Sequence, residues 1–329
     1  MTHEDARLKQ LKRWIFDCGF NADSLQPASA DASFRRYFRL ADGDSSWIVM
    51  DSPPEHNDNQ PFLAISRRLE NAGINAPVVE RHDLQAGFIL LGDLGSRHYL
   101  DVLDQSNAAA LYADAIRTIV DMQSRVDTDG LALYDEQALR AEMQLFPEWF
   151  VGTYKGLSLN RRQQDCLEAT FALCVSSALE QPAAFVHRDY HSRNLMYLEQ
   201  RNPGVLDFQD AVRGPLTYDI VSLLKDCYIS WPEEFVYSLL EDFRRQLVRE
   251  QGIAADRQTF ERWFDLMGLQ RHLKVLGIFC RLNFRDGKPA YMNDLPLVFR
   301  YVERVCRKYP ALAEFHQLLD EIGANEGLS

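Results

Sequence analysis

Residues 185 to 211, FVHRDYHSRNLMYLEQRNPGVLDFQDA, gather two histidines, three aspartates and two asparagines between short apolar runs. The apolar residues before His187 and after Asn194 read as strands, and VLDF reads as another. Asn202, Pro203 and Gly204 between the last two are turn chemistry. Pairing Leu198 with Val205 would set Asp207 opposite Met196. Asn194 and Asp207 would then share one face at the open end of a hairpin, with Asp189 in the loop before it. Oxygen donors of this kind suit Mg²⁺, which takes one or two carboxylates and completes its shell with phosphate oxygens and water. With Asn194 and Asp207 as ligands, Asp189 is left to accept a hydroxyl proton. Phosphoryl transfer divides its labour in this way.

Other readings of the same residues stay open. His187, Asp189 and His191 alternate as the ligands of a transition metal do in metal-dependent hydrolases. That reading leaves Asn194 and the Asp207 hairpin without a role. A loop of mutually satisfied polar side chains, or a nucleotide-binding module without turnover, would also use them.

The elements that must position these residues fall into two groups. With 329 residues and 46% hydrophobic composition, the length favours about two domains. Residues 4–18 carry Leu8, Leu11, Ile15 and Cys18 at helical steps, ending at Gly19. From 21 to 91 the texture is strand-rich: FRRYFRL and WIVM flank the turn ADGDSS, and PVVERHDLQAGFILL gives two more strands. One helix over 61–72, ended by Gly73, interrupts them. After GDLGSRHYL the chain is mostly helical, over 101–124, 135–152, 160–179, 216–226, 232–250, 257–284 and 294–323. The expected organisation is an N-terminal lobe over 1–92 with a leading helix, a connector at 93–95, and a helical lobe over 96–329.

Composition narrows the partners. The net charge of −12 and pI near 5.2 disfavour a nucleic-acid footprint, which needs a basic face. The charged start MTHEDARLKQ has no apolar core of a secretory leader, and no run of ~18 apolar residues could span a membrane. The six cysteines are scattered without a C-x-x-C pair and read as reduced thiols. The expectation is a soluble cytoplasmic protein acting on a small molecule, with no obligate protein partner implied.

HRDYHSRN resembles the H-x-D-x-x-x-x-N catalytic loop of protein kinases and aminoglycoside phosphotransferase-like kinases. LDFQD resembles their metal-binding D-F-G or D-x-D segment, and the two lobes fall in the family's order. The resemblance implies an α+β, bilobal, protein-kinase-like fold that uses ATP and Mg²⁺. More narrowly, ASADASFRRYFR, VMDSPPE, DFQDAVRGPLTYDIVSLLKDCY and RHLKVLGIFCRL resemble the bacterial anomeric kinases of N-acetylmuramic acid and N-acetylglucosamine in cell-wall recycling. The implied reaction is phosphorylation of an amino sugar at its anomeric hydroxyl. The alternative is another small-molecule O-kinase, such as an aminoglycoside phosphotransferase.

Carried onto this chain, the resemblance makes Asp189 the catalytic base and Asn194 and Asp207 the metal ligands. His187 would buttress the loop. Asp219 would hydrogen-bond the loop backbone, or serve only as a first-turn helix carboxylate. Asp210 is a further metal or loop contact, or a solvated turn residue. PASADASF stands where a phosphate-covering loop belongs, with Ser29 and Ser33 as phosphate donors. Leu91 and Asp93 fall where the strand and connector frame adenine. The family's lysine on the third strand is replaced by Met50 and its helix glutamate by Phe62, a joint loss that strands no charge. Arg35, Arg36 and Arg39 are candidates for the missing positive charge. Arg271, Lys274, Arg281 and Arg285 form a cationic stripe, either a solvated face or a contact for an anionic or neutral sugar. Trp149 and Phe150 either stack on a sugar ring or pack in the core.

Overall fold

Leu11 and Ile15 lie one helical turn apart and both are buried, so the first helix, α1 (Ala6–Asp17), presents one apolar face. The computed structural model describes residues 6–30, 35–324 and 327. That face packs on Leu40, Val49, Phe88 and Leu90, which lie on one side of a five-stranded antiparallel sheet. Its strands are β1 (Gln26–Ala30), β2 (Arg36–Asp42), β3 (Ser45–Asp51), β4 (Val79–Asp83) and β5 (Phe88–Gly92), in the order β1-β2-β3-β5-β4. Side chains alternate between the two faces of a strand. Met50 and Ile89, paired across β3 and β5, therefore face away from α1. Between β3 and β4, helix α2 (Gln60–Asn71) buries Phe62, Ile65 and Leu69.

The part of PASADASF that is described is strand: Ser29 pairs with Tyr37 and Ala30 with Arg36. Ser33 lies outside the described residues.

The chain divides into two compact units. The first is Met1–His98 with Leu195–Asp210, and the second is Tyr99–Asn194 with Ala211–Ser329. The hairpin expected in the helical lobe thus belongs with the sheet. Its backbone explains why: Val205 N–H donates to Asn75 O at 2.8 Å, and Tyr197 N–H to Arg97 O at 2.8 Å. Gly204 is needed there, because a Cβ would meet Leu94 Cδ1 at 2.8 Å. Its register also differs from expectation. Leu195 pairs with Val205 and Met196 with Gly204, while Leu198 N–H is taken by the Asn202 side chain at 3.1 Å. Leu198 is spent in the turn and cannot pair with Val205.

The second unit is helical: α3 (Tyr99–Val102), α4 (Ala108–Arg125), α5 (Glu136–Met143), α6 (Arg161–Leu179), α7 (Tyr218–Leu224), α8 (Glu233–Gln251), α9 (Arg257–Phe284), α10 (Leu295–Lys308) and α11 (Ala313–Glu321). Three expected helices are broken. Residues 101–124 become α3 and α4, and 135–152 becomes α5 followed by a π-helical segment, Phe146–Tyr154. The run 294–323 is cut near Pro310, whose ring cannot continue a helix. α9 is the spine of this unit and is buried almost all round between Phe260 and Cys280. Gly277 admits the Leu145 backbone, whose carbonyl would lie 2.3 Å from any Cβ there. Among the described residues, no helix is long and apolar enough to cross a membrane.

Candidate active site

The strand Ala183–Val186 pairs with Val212–Pro215, and the chain leaves it at His187 to form the loop 187–194. Two buried carboxylates fix that loop. Asp219, in the first turn of α7, accepts the His187 N–H at 2.7 Å and the Arg188 N–H at 3.0 Å. Arg188 has φ +77°, a left-handed conformation that costs about 1–3 kcal/mol in a residue other than glycine. The two bonds to Asp219 offset that strain. Asp226 accepts the Ser192 N–H at 2.9 Å and the Tyr228 N–H at 3.0 Å. Tyr190 is buried between them and donates to Ala115 O at 3.0 Å. His187 is buried beneath the loop, its ring edge-on to Tyr190 at 5.7 Å.

This frame leaves the Asp189 side chain 43% exposed. Asn194 donates its amide N–H to the Asp189 carbonyl at 3.0 Å, so its donor side is turned toward the loop. Partial burial would raise the Asp189 pKa, but Lys274, His191, Arg271 and His187 together bring it down to about 2. Asp189 is therefore a carboxylate throughout the neutral range. Burial pushes Asp219 the other way, to about 6, despite its two backbone bonds.

Helix α9 supplies the cations. Arg271 and Lys274 are buried, at 3% and 8% exposure, so the expected stripe is not a solvated face at these two positions. Arg271 Nη2 lies 3.8 Å from Asp189 Oδ1. Lys274 Nζ lies 2.9 Å from Glu142 Oε1 and donates to Tyr218 OH at 3.2 Å. Glu142 also pairs with Arg188 and accepts from Tyr134 OH. Burial would raise the Glu142 pKa, yet Lys274 and Arg188 hold it below the usual value. The rest of the stripe diverges: Arg281 is half-buried and Arg285 is exposed, bound to Asp286 at 2.7 Å. Phe150 is fully buried and stacks on Phe146 at 5.2 Å, which settles it as core. Trp149 is half-buried.

Glu142 and Asp226 were not singled out in the sequence. Asp226 could have been, since it follows Asp219 by two helical turns in YDIVSLLKD. Glu142 gives no such signal, because RAEMQ reads as an ordinary solvated helix.

In the first unit, Asp207 has φ +62° and accepts from Gln209 Nε2 at 2.9 Å. The same amide lies 3.4 Å from Asp210 Oδ2. Phe208 is buried against Phe62 of α2, with ring centroids 4.9 Å apart. Met50 and Phe62 are both buried, so apolar packing stands where the family's ion pair would be. Arg36 does not replace that charge. It pairs across the sheet with Asp51, on the α1 side, opposite to Met50. There the buried Asp51 carboxylate is clamped by Arg36 at 2.5 Å and Arg7 at 2.6 Å. Arg39 is bound to Asp93 at 2.6 Å and to Gly95 O at 2.7 Å. Burial opposes ionisation of Asp93, but its bonds from Arg39 and Ser46 keep its pKa low. Leu91 is buried, opposite Ile48, and Arg35 is half-buried.

Comparison with known proteins shows a match to the phosphotransferase enzyme family over residues 24–259. The chain belongs to that family. Two proteins named N-acetylmuramate/N-acetylglucosamine kinase resemble this phosphotransferase over nearly their full lengths. The one from Pseudomonas putida is 45% identical, covering 98% of this chain and 99% of its own. The one from Pseudomonas aeruginosa is 46% identical, covering 96% and 97%. Among solved structures, ADP-bound aminoglycoside phosphotransferase APH(2'')-Ib superposes with a TM-score of 0.62 at 16% identity, over 95% of this chain and 99% of that one. At that identity the likeness speaks to the fold, which is the bilobal α+β fold expected.

By residue type alone, the ligands expected from the sequence suit a magnesium ion better than a transition metal. One carboxylate and one amide oxygen, Asp207 and Asn194, are the hard donors Mg²⁺ takes. Among the described residues no three histidine, cysteine, aspartate or glutamate side chains are grouped to hold a metal. That removes the geometric basis for the His187–Asp189–His191 reading.

Proposed function

We propose that this phosphotransferase moves the γ-phosphoryl group of ATP to the anomeric hydroxyl of N-acetylmuramate or N-acetylglucosamine, giving the sugar 1-phosphate in cell-wall recycling. The observation that carries this reading is near-full-length identity of 45% and 46% to kinases of those two sugars. An exposed, anionic Asp189 in the matching loop supports it.

In this reaction the acceptor hydroxyl donates a hydrogen bond to Asp189. Its oxygen bonds to the γ-phosphorus as the bridging P–O bond breaks, and ADP leaves with that electron pair. A carboxylate with a pKa of about 2 takes the proton late, once bond formation has acidified the hydroxyl. Its earlier task is orientation, which the loose transition state of phosphoryl transfer rewards. An anomeric hydroxyl is more acidic than an ordinary alcohol, so one positioned carboxylate suffices. Asn194 and Asp207 would hold Mg²⁺, which when bound neutralises phosphate charge. The first unit would carry the nucleotide, with Leu91 and Asp93 near the base and Arg35 toward the phosphates. Arg39 would order the connector through Asp93. The six unpaired cysteines suit a reducing cytoplasmic setting.

The test is to incubate each sugar with Mg-ATP, follow the product by phosphorus NMR and assay its reducing end. A non-reducing phosphorylated product is expected, because a 1-phosphate blocks the anomeric carbon. A reducing product would overturn the anomeric assignment, and phosphorylation of aminoglycosides alone would overturn the substrate class.

A further inference from the structure

Two buried cations of α9 sit near Asp189, and their surroundings differ. Lys274 is engaged by protein: Glu142 lies 2.9 Å from its ammonium and the Tyr218 hydroxyl 3.2 Å. Arg271 is not matched in this way. Its Nη1 meets only the Cys227 sulfur, at 3.5 Å, and its Nη2 stands 3.8 Å from Asp189, beyond hydrogen-bond distance. Its Nε is buried and bonds to no group among the described residues. Burial also pushes the Cys227 thiol up to about 11, so that sulfur brings no charge to the pair.

A guanidinium offers five donors in a planar fork, and burying it without a bonded anion is costly. Arg188 in the same unit shows the usual solution, since Glu142 pairs with it directly. Among the described residues the one carboxylate near Arg271 is Asp189, too far for a hydrogen bond, so the fork is buried with its donors largely unspent. The neighbouring residues are largely aromatic, and a second guanidinium, Arg193, stacks 3.5 Å over the Tyr228 ring. Tyr228 follows Cys227 in the chain, with His191 edge-on to it at 5.4 Å. Phe279, two turns further along α9, lies 6.4 Å from Tyr228 and 5.3 Å from Tyr291. Aromatic side chains of this kind suit the apolar face of a sugar ring.

We propose that Arg271 binds the lactyl carboxylate of N-acetylmuramate and so sets selectivity between the two sugars. The inference rests on the functional reading above. It follows because the fork of Arg271 matches a carboxylate in two parallel hydrogen bonds, beside the carboxylate that takes the sugar hydroxyl. N-acetylglucosamine carries no such anion and would leave the fork with Asp189 alone, at 3.8 Å.

The experiment measures kcat/KM for both sugars with wild type, Arg271→Met and Arg271→Lys. In Arg271→Met the ratio for N-acetylmuramate over N-acetylglucosamine should fall about 100-fold, whatever loss the two sugars share. Arg271→Lys should restore part of that ratio, since it keeps the charge and loses the fork. Equal losses for both sugars, seen in kcat, would mean that Arg271 serves the moving phosphoryl group, and the proposal would fall. Because a buried arginine is a hazardous site to change, wild type is also assayed with the methyl ester of N-acetylmuramate. The ester should lose a comparable factor in KM, and equal use of ester and acid would overturn the proposal without any variant. Wild type that phosphorylates neither sugar would instead overturn the functional reading, and the role of Arg271 with it.

Discussion

Asp265 and Arg271 lie less than two turns apart on α9, and both are buried, but their surroundings are opposite. Asp265 accepts from Lys225 at 2.8 Å, Lys308 at 2.6 Å, Tyr237 at 2.6 Å and Tyr309 at 2.8 Å. Its carboxylate binds together residues from α8, α9 and α10 and the segment after α7. Its partners Lys225, Tyr237 and Lys308 line a cavity of about 390 Å³ together with Trp231 and Tyr301, and both of those lysines are already paired with Asp265. Arg271 meets a neutral thiol and stands short of Asp189. A satisfied buried charge organises the fold, whereas one left short of partners is kept for something the fold does not contain. Charge content alone would rank the Asp265 cluster first as a site. Satisfaction reverses that order.

The largest expected effect breaks the open end of this comparison. Asp189→Asn keeps the shape of the loop and removes proton acceptance. Turnover should fall by roughly 10²–10⁴-fold, with nucleotide affinity within a factor of about three. Near-native turnover in steady-state assays would remove Asp189 from the mechanism. The saturated end should respond in stability instead. Asp265→Asn removes the counter-charge of the buried Lys225 and the nearer of two for Lys308, and should cost about 3 kcal/mol in denaturant unfolding. Turnover per folded molecule should stay within about threefold. A folded variant with lost activity and unchanged stability would erase the distinction between the two clusters.

A smaller effect comes from His272, which follows Arg271 on α9. It stacks on Tyr301 at 4.8 Å, and its Nε2 lies 3.0 Å from Lys225 O. Burial first, and then the charges of Arg271 and Lys225, lower its pKa to about 3 despite that carbonyl. The unfolded chain therefore binds a proton, near its ordinary pKa of ~6.5, that the folded chain refuses. The resulting stability is complete above that value and is lost as pH falls toward 3. Between pH 7.5 and 5 the loss from this group should be about 2 kcal/mol. Unfolding curves at the two pH values would show it, and His272→Phe should flatten the difference. An unchanged pH slope in that variant would assign the acid sensitivity elsewhere.

The contrast also shows what was legible beforehand. The candidates in 185–211, Asp189, Asn194 and Asp207, could be singled out beforehand because type and spacing are both local. The hairpin register was misread by three residues, since Leu198 looked like a strand residue and only the Asn202 side chain removes its N–H from pairing. Arg36 looked available for phosphate. Its place on the α1 side is decided by the register with β3 and by Asp51, a residue fifteen positions away. Likewise Arg271, Lys274, Arg281 and Arg285 read as one stripe, because helical periodicity treats similar positions alike. α9 is buried along most of its length, so its neighbours, rather than its own pattern, separate them.

By itself the sequence determined the order of a strand-rich unit and a helical one, and it singled out Asp189 with the oxygen donors Asn194 and Asp207 as candidates for chemistry. These follow from periodicity, turn residues and side-chain chemistry within short windows. The tertiary structure alone decided which charges are spent and which are kept. Whether a buried cation is matched depends on acceptors such as Glu142 and Asp265, brought to α9 or from it across more than a hundred residues in one case and about forty in the other. Hydrogen-bond satisfaction is a property of that assembled neighbourhood, and no local pattern in the chain encodes it.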